Sequence, residues 1–153
     1  MEKFTVSLFG HRYIEDHKKT SELLEKAITE VLTSHSNIEF LVGKNGEFDI
    51  LCASVIKQVR KKLNRSDCYL VLILPYSTAS FRENEEYYLD YYDEVEIYSS
   101  DSVIHPKSAI TKRNRFMADR SDLVIAYVTT CSGGAFSAIK YAAKNKTVWN
   151  LAK

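Results

Sequence analysis

Several things that would announce a specialised chain are missing here. No apolar run approaches the ~20 residues of a membrane span, so no membrane contact is expected. The three cysteines, Cys52, Cys68 and Cys131, are an odd number at wide spacing with no Cys-x-x-Cys pair. That excludes a disulfide framework and a zinc ribbon and fits a reducing cytoplasm. His17, His35 and His105 lack ligand spacing, so no metal is expected, and no motif asks for a cofactor. Two prolines and five glycines in 153 residues argue for regular elements with short connections. Repeats and low-complexity tracts are absent. Met1 to Val6 enters a strand almost at once, which leaves no room for a signal peptide. The formal net charge is +1 and the basic residues look dispersed. Nucleic acid is therefore not expected as a partner.

What remains is an ordinary folded composition, 45% hydrophobic and 27% charged, long enough for one domain over 1–153 with a real core. Lys3–Phe9 alternates and reads as a strand. A helix follows from Asp16 or His17 to Leu32, then a strand at 37–42 and a helix at 49–63 with a basic tail. Cys68–Leu74 is a continuous apolar strand, the type covered on both faces, which Pro75 ends. The tyrosine-rich stretch at 82–92 contains a short helix, and 94–98 reads as another strand. Ser108–Arg120 is a helix, Asp122–Val128 a buried strand, Ala135–Lys144 a helix, and Thr147–Leu151 a last strand. Asn145 suits a left-handed cap between the last two.

Strand and helix in alternation predict an α/β fold, a Rossmann-like three-layer sandwich with a mostly parallel, doubly wound sheet. Ligands of such sheets bind beyond the carboxyl ends of the strands, where the winding reverses. Four unusual loops follow strands and should share that rim: Gly10-His11-Arg12, Gly43 to Asp49, Pro75-Tyr76, and Thr130 to Gly134. The last leads into a helix, whose first amides lack internal partners and whose dipole makes that end partly positive. Ser132, Gly133 and Gly134 are therefore candidate phosphate contacts, although the glycines also suit a plain turn. His11 and Arg12 suit a phosphate or base, with Arg12 able to grip two oxygens; alternatively Arg12 pairs with Asp16.

Glu47 and Asp49 begin a helix, where carboxylates cap free amides. On a ligand rim either could also hold ribose hydroxyls or act as nucleophile or general acid. Both are the candidate catalytic residues, Asp49 mainly a cap. Arg113 or Asn114 is expected to point into the rim, with an Arg115–Asp119 pair as the surface alternative. Cys131 has no evident base beside it and reads as a small buried residue. The tyrosines at 87, 88, 91, 92 and 98 suit base stacking, an oligomer face or an amphipathic surface. Ser132 and Ser137 lack a nucleophile elbow.

Ser7-Leu8-Phe9-Gly10-His11-Arg12, Gly43-Lys44-Asn45-Gly46-Glu47-Phe48-Asp49, Ile73-Leu74-Pro75-Tyr76 and Arg113-Asn114-Arg115-Phe116-Met117-Ala118-Asp119 resemble the SLOG superfamily, closest to its YpsA-like branch. The resemblance runs nearly the whole chain in order. It implies a Rossmann-like fold related to the lonely-guy phosphoribohydrolases and to DprA-type DNA-binding proteins. It implies a nucleotide or nucleotide-derived ligand at the rim, held from Gly10, His11, Arg12, Gly43, Glu47, Pro75, Arg113, Asn114, Thr130, Ser132, Gly133 and Gly134. The lonely-guy pattern Gly-Gly-x-Gly-Thr-x-x-Glu would fall on 133–140. Here its third glycine is Phe136, its threonine Ser137 and its glutamate Lys140, so that hydrolase chemistry is not expected. The leading expectation is a cytoplasmic, sensor-type binding domain and a homodimer. An enzyme acting on an N-glycosidic bond, or an interaction module that kept the fold, is the alternative.

Overall fold

The computed structural model describes residues 2–99 and 105–153. In chain order these form β1 (Phe4–Gly10), α1 (His17–Ser34), β2 (Ile38–Val42), α2 (Glu47–Lys62), β3 (Cys68–Tyr76), α3 (Ala79–Glu83), α4 (Glu85–Tyr91), β4 (Glu94–Ser99), α5 (Pro106–Arg120), β5 (Leu123–Tyr127), α6 (Gly134–Ala142) and β6 (Thr147–Asn150). Positions 100–102, the end of the ambiguous stretch after the tyrosines, lie outside the described residues. The strands form one sheet in the order β4-β3-β2-β1-β5-β6, parallel at every pairing. The chain steps outward from β1 to β4 and then crosses to the other side of β1. The winding thus reverses between β1 and β5, and a crevice opens there at the strand ends.

Period-two alternation sends each central strand's side chains into two different cores. Val6, Leu8, Phe40, Leu70 and Leu72 pack with Leu24 and Ile28 of α1 and Phe48 and Ile56 of α2. Phe9, Leu41, Val71, Ile73 and Val124 pack with Met117 of α5 and Ala138 and Ala142 of α6. Helix α1 starts where Asp16 accepts a hydrogen bond from the Lys19 amide at 3.0 Å, and it buries Leu24, Ala27, Ile28, Val31 and Leu32 at helical spacing. At the far end of α5, Arg120 bonds Glu39 of β2 (3.0 Å) and Glu96 of β4 (2.9 Å), tying that helix across the sheet. No helix among the described residues is long and apolar enough to cross a membrane.

The structure departs from the sequence reading at two ends. Pro75 does not terminate β3, which runs on to Tyr76. Beyond the Val42–Leu72 pair, β3 has a neighbour on one side only, where a missing N–H is tolerated. Asn145 is not a left-handed cap: the non-glycine residues with positive φ among the described ones are Asn37 and Asn64. The end of α6 closes instead by right-handed turns, with the amides of Asn145 and Lys146 both donating to the Ala142 carbonyl.

Strand β2 also ends before both of its neighbours. It stops at Val42, while β1 continues to Gly10 and β3 to Tyr76. A notch is left between β1 and β3, and Gly43 sits at its base.

Candidate functional site

The notch opens into a cleft of ≈ 240 Å³. Its walls are Gly10, His11 and Arg12 at the end of β1, Gly43, Asn45 and Gly46 after β2, Asp49 in the first turn of α2, Ile110, Arg113 and Asn114 on α5, and Ser132, Gly133 and Gly134 at the start of α6. Three of the four anticipated loops therefore meet around one space at the switch point. The fourth does not: Pro75 is buried in β3 outside the cleft lining.

Arg113 is the chemical centre. Its side chain comes from α5, yet the residue is only 3% exposed. Nη1 donates to the Ile73 carbonyl at 2.9 Å, a β3 oxygen that the short β2 leaves free. Nε donates to Asn114 Oδ1 at 3.0 Å. Nη2 has no protein acceptor among the described residues. No described buried side-chain nitrogen or oxygen is left without a partner, so Nη2 opens onto the cleft. Burial pushes the Arg113 guanidinium's pKa down, against the field of Asp49, which raises it. It nevertheless stays a cation.

Asp49 approaches from α2, on the other face of the sheet. Its Oδ2 accepts from the Asn45 amide at 3.0 Å, one residue before the Gly46 N-cap, so it braces the loop that enters α2 and does not cap a helix amide as expected. Burial pushes its carboxyl pKa up, opposed by that amide and by Arg113. A Cβ at Gly43 would lie 2.9 Å from Arg113 Nη1 and 3.0 Å from Asp49 Oδ2, so the absence of a side chain there lets the two helices' charges converge.

Glu47 is placed differently. Its Oε1 accepts from the Ile14 amide at 2.8 Å and lies 3.3 Å from His17 Nε2, and its own amide donates to the Arg12 carbonyl. It fastens the β1–α1 loop to α2 and does not line the cleft. His11 bridges the two halves of the sheet: Nε2 accepts from the Thr129 amide at 2.9 Å, which requires the neutral ring with its proton on Nδ1. Arg12 is exposed at the rim, and its guanidinium has no acceptor among the described residues, Asp16 included.

Before α6, Gly133 has φ 98° and ψ 175°, a region only glycine occupies readily. It is the N-cap residue and supplies no side-chain cap. A Cβ at Gly133 or Gly134 would meet nothing within 4 Å, so the space beside the start of α6 is open, and no side chain caps the helix there. Thr130 lies outside the cleft lining and donates its hydroxyl to the Ser132 carbonyl, shaping the loop. Cys131 is exposed, not buried as its size suggested, because the chain has left the core after β5 ends at Tyr127. Arg115 lies over the Tyr141 ring, while Asp119 accepts from the Tyr141 hydroxyl at 2.8 Å, so their expected pairing is replaced by a shared aromatic partner. Among the tyrosines, 88 and 92 are core and 87 is exposed, and no tyrosine lines the cleft. Asn45 and Ile110 are lining residues that sequence reasoning did not single out. Among the described residues no group of three or more metal-ligating side chains is assembled.

No family model and no curated protein matches the chain. Solved structures do. DNA processing protein A (DprA) from Streptococcus pneumoniae superposes with a TM-score of 0.70 at 16% identity, over 95% of this chain and 49% of that one. The chain has a DprA-like Rossmann fold. DprA from Helicobacter pylori, described for its single-stranded DNA binding mode, gives 0.66 at 16% identity over 95% and 63% of the two chains. The molybdenum cofactor carrier protein from Chlamydomonas reinhardtii gives 0.60 at 15%, over 96% and 75%. This chain thus spans about half the length of the pneumococcal DprA it matches. At these identities the likeness carries the fold and does not reach the YpsA-like branch.

The DprA likeness overturns one expectation. A near-neutral chain is no ground for excluding nucleic acid on a fold that binds single-stranded DNA in the Helicobacter protein. The basic residues are not dispersed either. Residues 106–121 and 134–147, which hold α5 and α6, carry eight basic residues and a single acid, Asp119. Lys107, Lys112, Arg115, Lys140, Lys144 and Lys146 are exposed or half-buried on that layer. Net charge averaged this segregation away.

Proposed function

We propose that the cleft binds the phosphate of a nucleotide or nucleotide-derived ligand, in a sensor-type domain of the cytoplasm. The observation that carries this is Arg113: a buried cation with one amino group turned into a cleft whose opposite wall is an uncapped helix N-terminus. Guanidinium and backbone amides are complementary to phosphate oxygens. Arg12 adds an exposed cation at the mouth. A ligand at 100 times its Kd stabilises the native state by about 2.7 kcal/mol, a melting shift of about 5–11 °C for a chain this size. Thermal melts with inorganic phosphate, AMP and ADP-ribose should show it, and Arg113→Met should abolish it. Absence of any shift at millimolar ligand, or an undiminished shift in the variant, refutes the reading.

A second reading is favoured by the segregated charge. Ile110, Arg113 and Asn114 of α5 and Ala135 of α6 line the cleft, so the basic layer adjoins its mouth. A single nucleic-acid strand would place one phosphate in the cleft and others along Lys112, Arg115 and Lys140. Its mark is affinity that falls steeply with salt, with a slope set by the number of phosphates neutralised. An oligonucleotide bound no better than AMP in 50 mM salt removes this reading and leaves the first.

Were the site an enzyme for N-glycosidic bonds, Asp49 would be its acid, since Glu47 is engaged by the loop. Base release from a nucleotide panel, lost in Asp49→Asn, tests that. A YpsA-like affiliation, one domain over 1–153 and a homodimer complete this reading; sedimentation measures the last.

A further inference from the structure

We infer that the cleft recognises a phosphorylated pentose through its hydroxyls and phosphate, and leaves the base of a nucleotide unread. The inference rests on the phosphate reading above. At ≈ 240 Å³ the cleft lies below the range of about 300–1,000 Å³ usual for small-molecule sites. Among the described residues it offers no large exposed aromatic platform. No tyrosine or tryptophan lines it, the Phe9 residue is 5% exposed within the core, and the His11 ring is held by Thr129. Bases are ordinarily held by stacking on such rings.

The unspent polar groups suit hydroxyls instead. Asp49 gives Oδ2 to the Asn45 amide, and Oδ1 has no protein donor among the described residues. Asn114 spends Oδ1 on Arg113 and keeps its amino group. Asn45 lines the cleft, and its side-chain amide has no partner among the described residues. A sugar hydroxyl both donates and accepts, so it can bond a carboxylate oxygen and an amide N–H together. Asp49 and Arg113 approach Gly43 from opposite sides of the sheet to within 3.0 Å of one point. Acceptors for a diol and the cation for a phosphate are therefore neighbours, as they are on a pentose phosphate.

Titration calorimetry with ribose 5-phosphate, 2-deoxyribose 5-phosphate, inorganic phosphate, AMP, CMP and adenosine tests this. Expected are AMP and CMP within about threefold of ribose 5-phosphate, a weaker deoxy sugar, and no binding of adenosine. Asp49→Asn should weaken ribose 5-phosphate about tenfold, equivalent to about 1.4 kcal/mol, while inorganic phosphate holds or tightens because a negative charge is gone. Asn45→Ala, an exposed loop position, should weaken the sugar phosphate about threefold and carries the test should Asp49→Asn not fold. More than tenfold discrimination between AMP and CMP, or an unchanged ratio of ribose 5-phosphate to inorganic phosphate in the folded variants, overturns the inference while phosphate binding stands. No binding by any phosphate compound overturns both.

Discussion

Gly10→Ala is the most direct test of how the cleft is built. The backbone at Gly10 is not left-handed, Gly133 being the glycine with positive φ among the described residues, so alanine brings no torsional strain. What it brings is a collision. The added methyl would lie 2.2 Å from Phe48 Cγ and 2.3 Å from Cδ2, where carbons prefer about 3.5–4.0 Å. Phe48 is fully buried and cannot swing away, so the first turn of α2, with Asp49 on it, must move. Overpacking of this kind costs about 1–3 kcal/mol, and an overlap above 1 Å belongs at the upper end. At about 3 kcal/mol the melting temperature falls by about 6–12 °C. Phe48→Ala alone should cost about 3–5 kcal/mol through its cavity. In the double variant the methyl enters vacated space, so the sum of the single effects should exceed the double by about 2 kcal/mol. Urea unfolding of the four proteins measures the cycle. Additivity within about 0.5 kcal/mol, or a Gly10→Ala cost below about 1 kcal/mol, refutes the close-approach argument.

The remaining expectations are briefer. Gly133→Ala should cost about 1–3 kcal/mol from its backbone region, whereas Gly134→Ala, facing open space in the helix, should be neutral or stabilising by up to about 1 kcal/mol in melts without ligand. The guanidinium of Arg65 and the Asn37 amide hold the Asp67 carboxyl well below the usual range. The stability it contributes is present above about pH 4, the unfolded value, and lost as pH falls through the depressed one, so Asp67→Asn should flatten the acid limb of urea midpoints taken between pH 2.5 and 7. Asp49 has the opposite sign: burial raises its pKa, so its charge costs stability above about pH 4, and Asp49→Asn should gain on the wild type as pH rises from 3 to 7. Glu39→Ala removes the buried partner of Arg120 and Thr5, and since Arg120 keeps Glu96 the cost by chemical denaturation should be about 1–3 kcal/mol.

The central strands and both long helices on the α1–α2 face are legible because their apolar spacing is regular: Cys68–Leu74 has the continuous apolar run typical of a doubly covered strand. The strand-end rule then brought Gly10, Gly43 and Gly133 to one rim without any knowledge of side chains. The failures share a cause. Pro75 and Asn145 were read by residue type, while pairing partners and chain closure decided their conformations. Glu47 and Asp49 stand two apart on one helix turn, and no local pattern says which faces a loop and which a cleft. The small size of Cys131 suggests burial, whereas its distance past the strand end sets its exposure. The basic layer was invisible to a total charge because the acids that balance it fall elsewhere in the chain. Arg113 owes its role to the early end of β2, a length mismatch that no reading of α5 alone contains.

That mismatch has a mechanical consequence. The sheet is a partition between the two helical layers. Over the truncated second strand, the side chains of Asp49 from α2 and Arg113 from α5 approach the Gly43 position from its two sides. Anything lodged between Asp49 and Arg113 would act as a rivet through the partition, so occupancy should stiffen both helical layers at once and slow amide exchange on faces that share no side-chain contact.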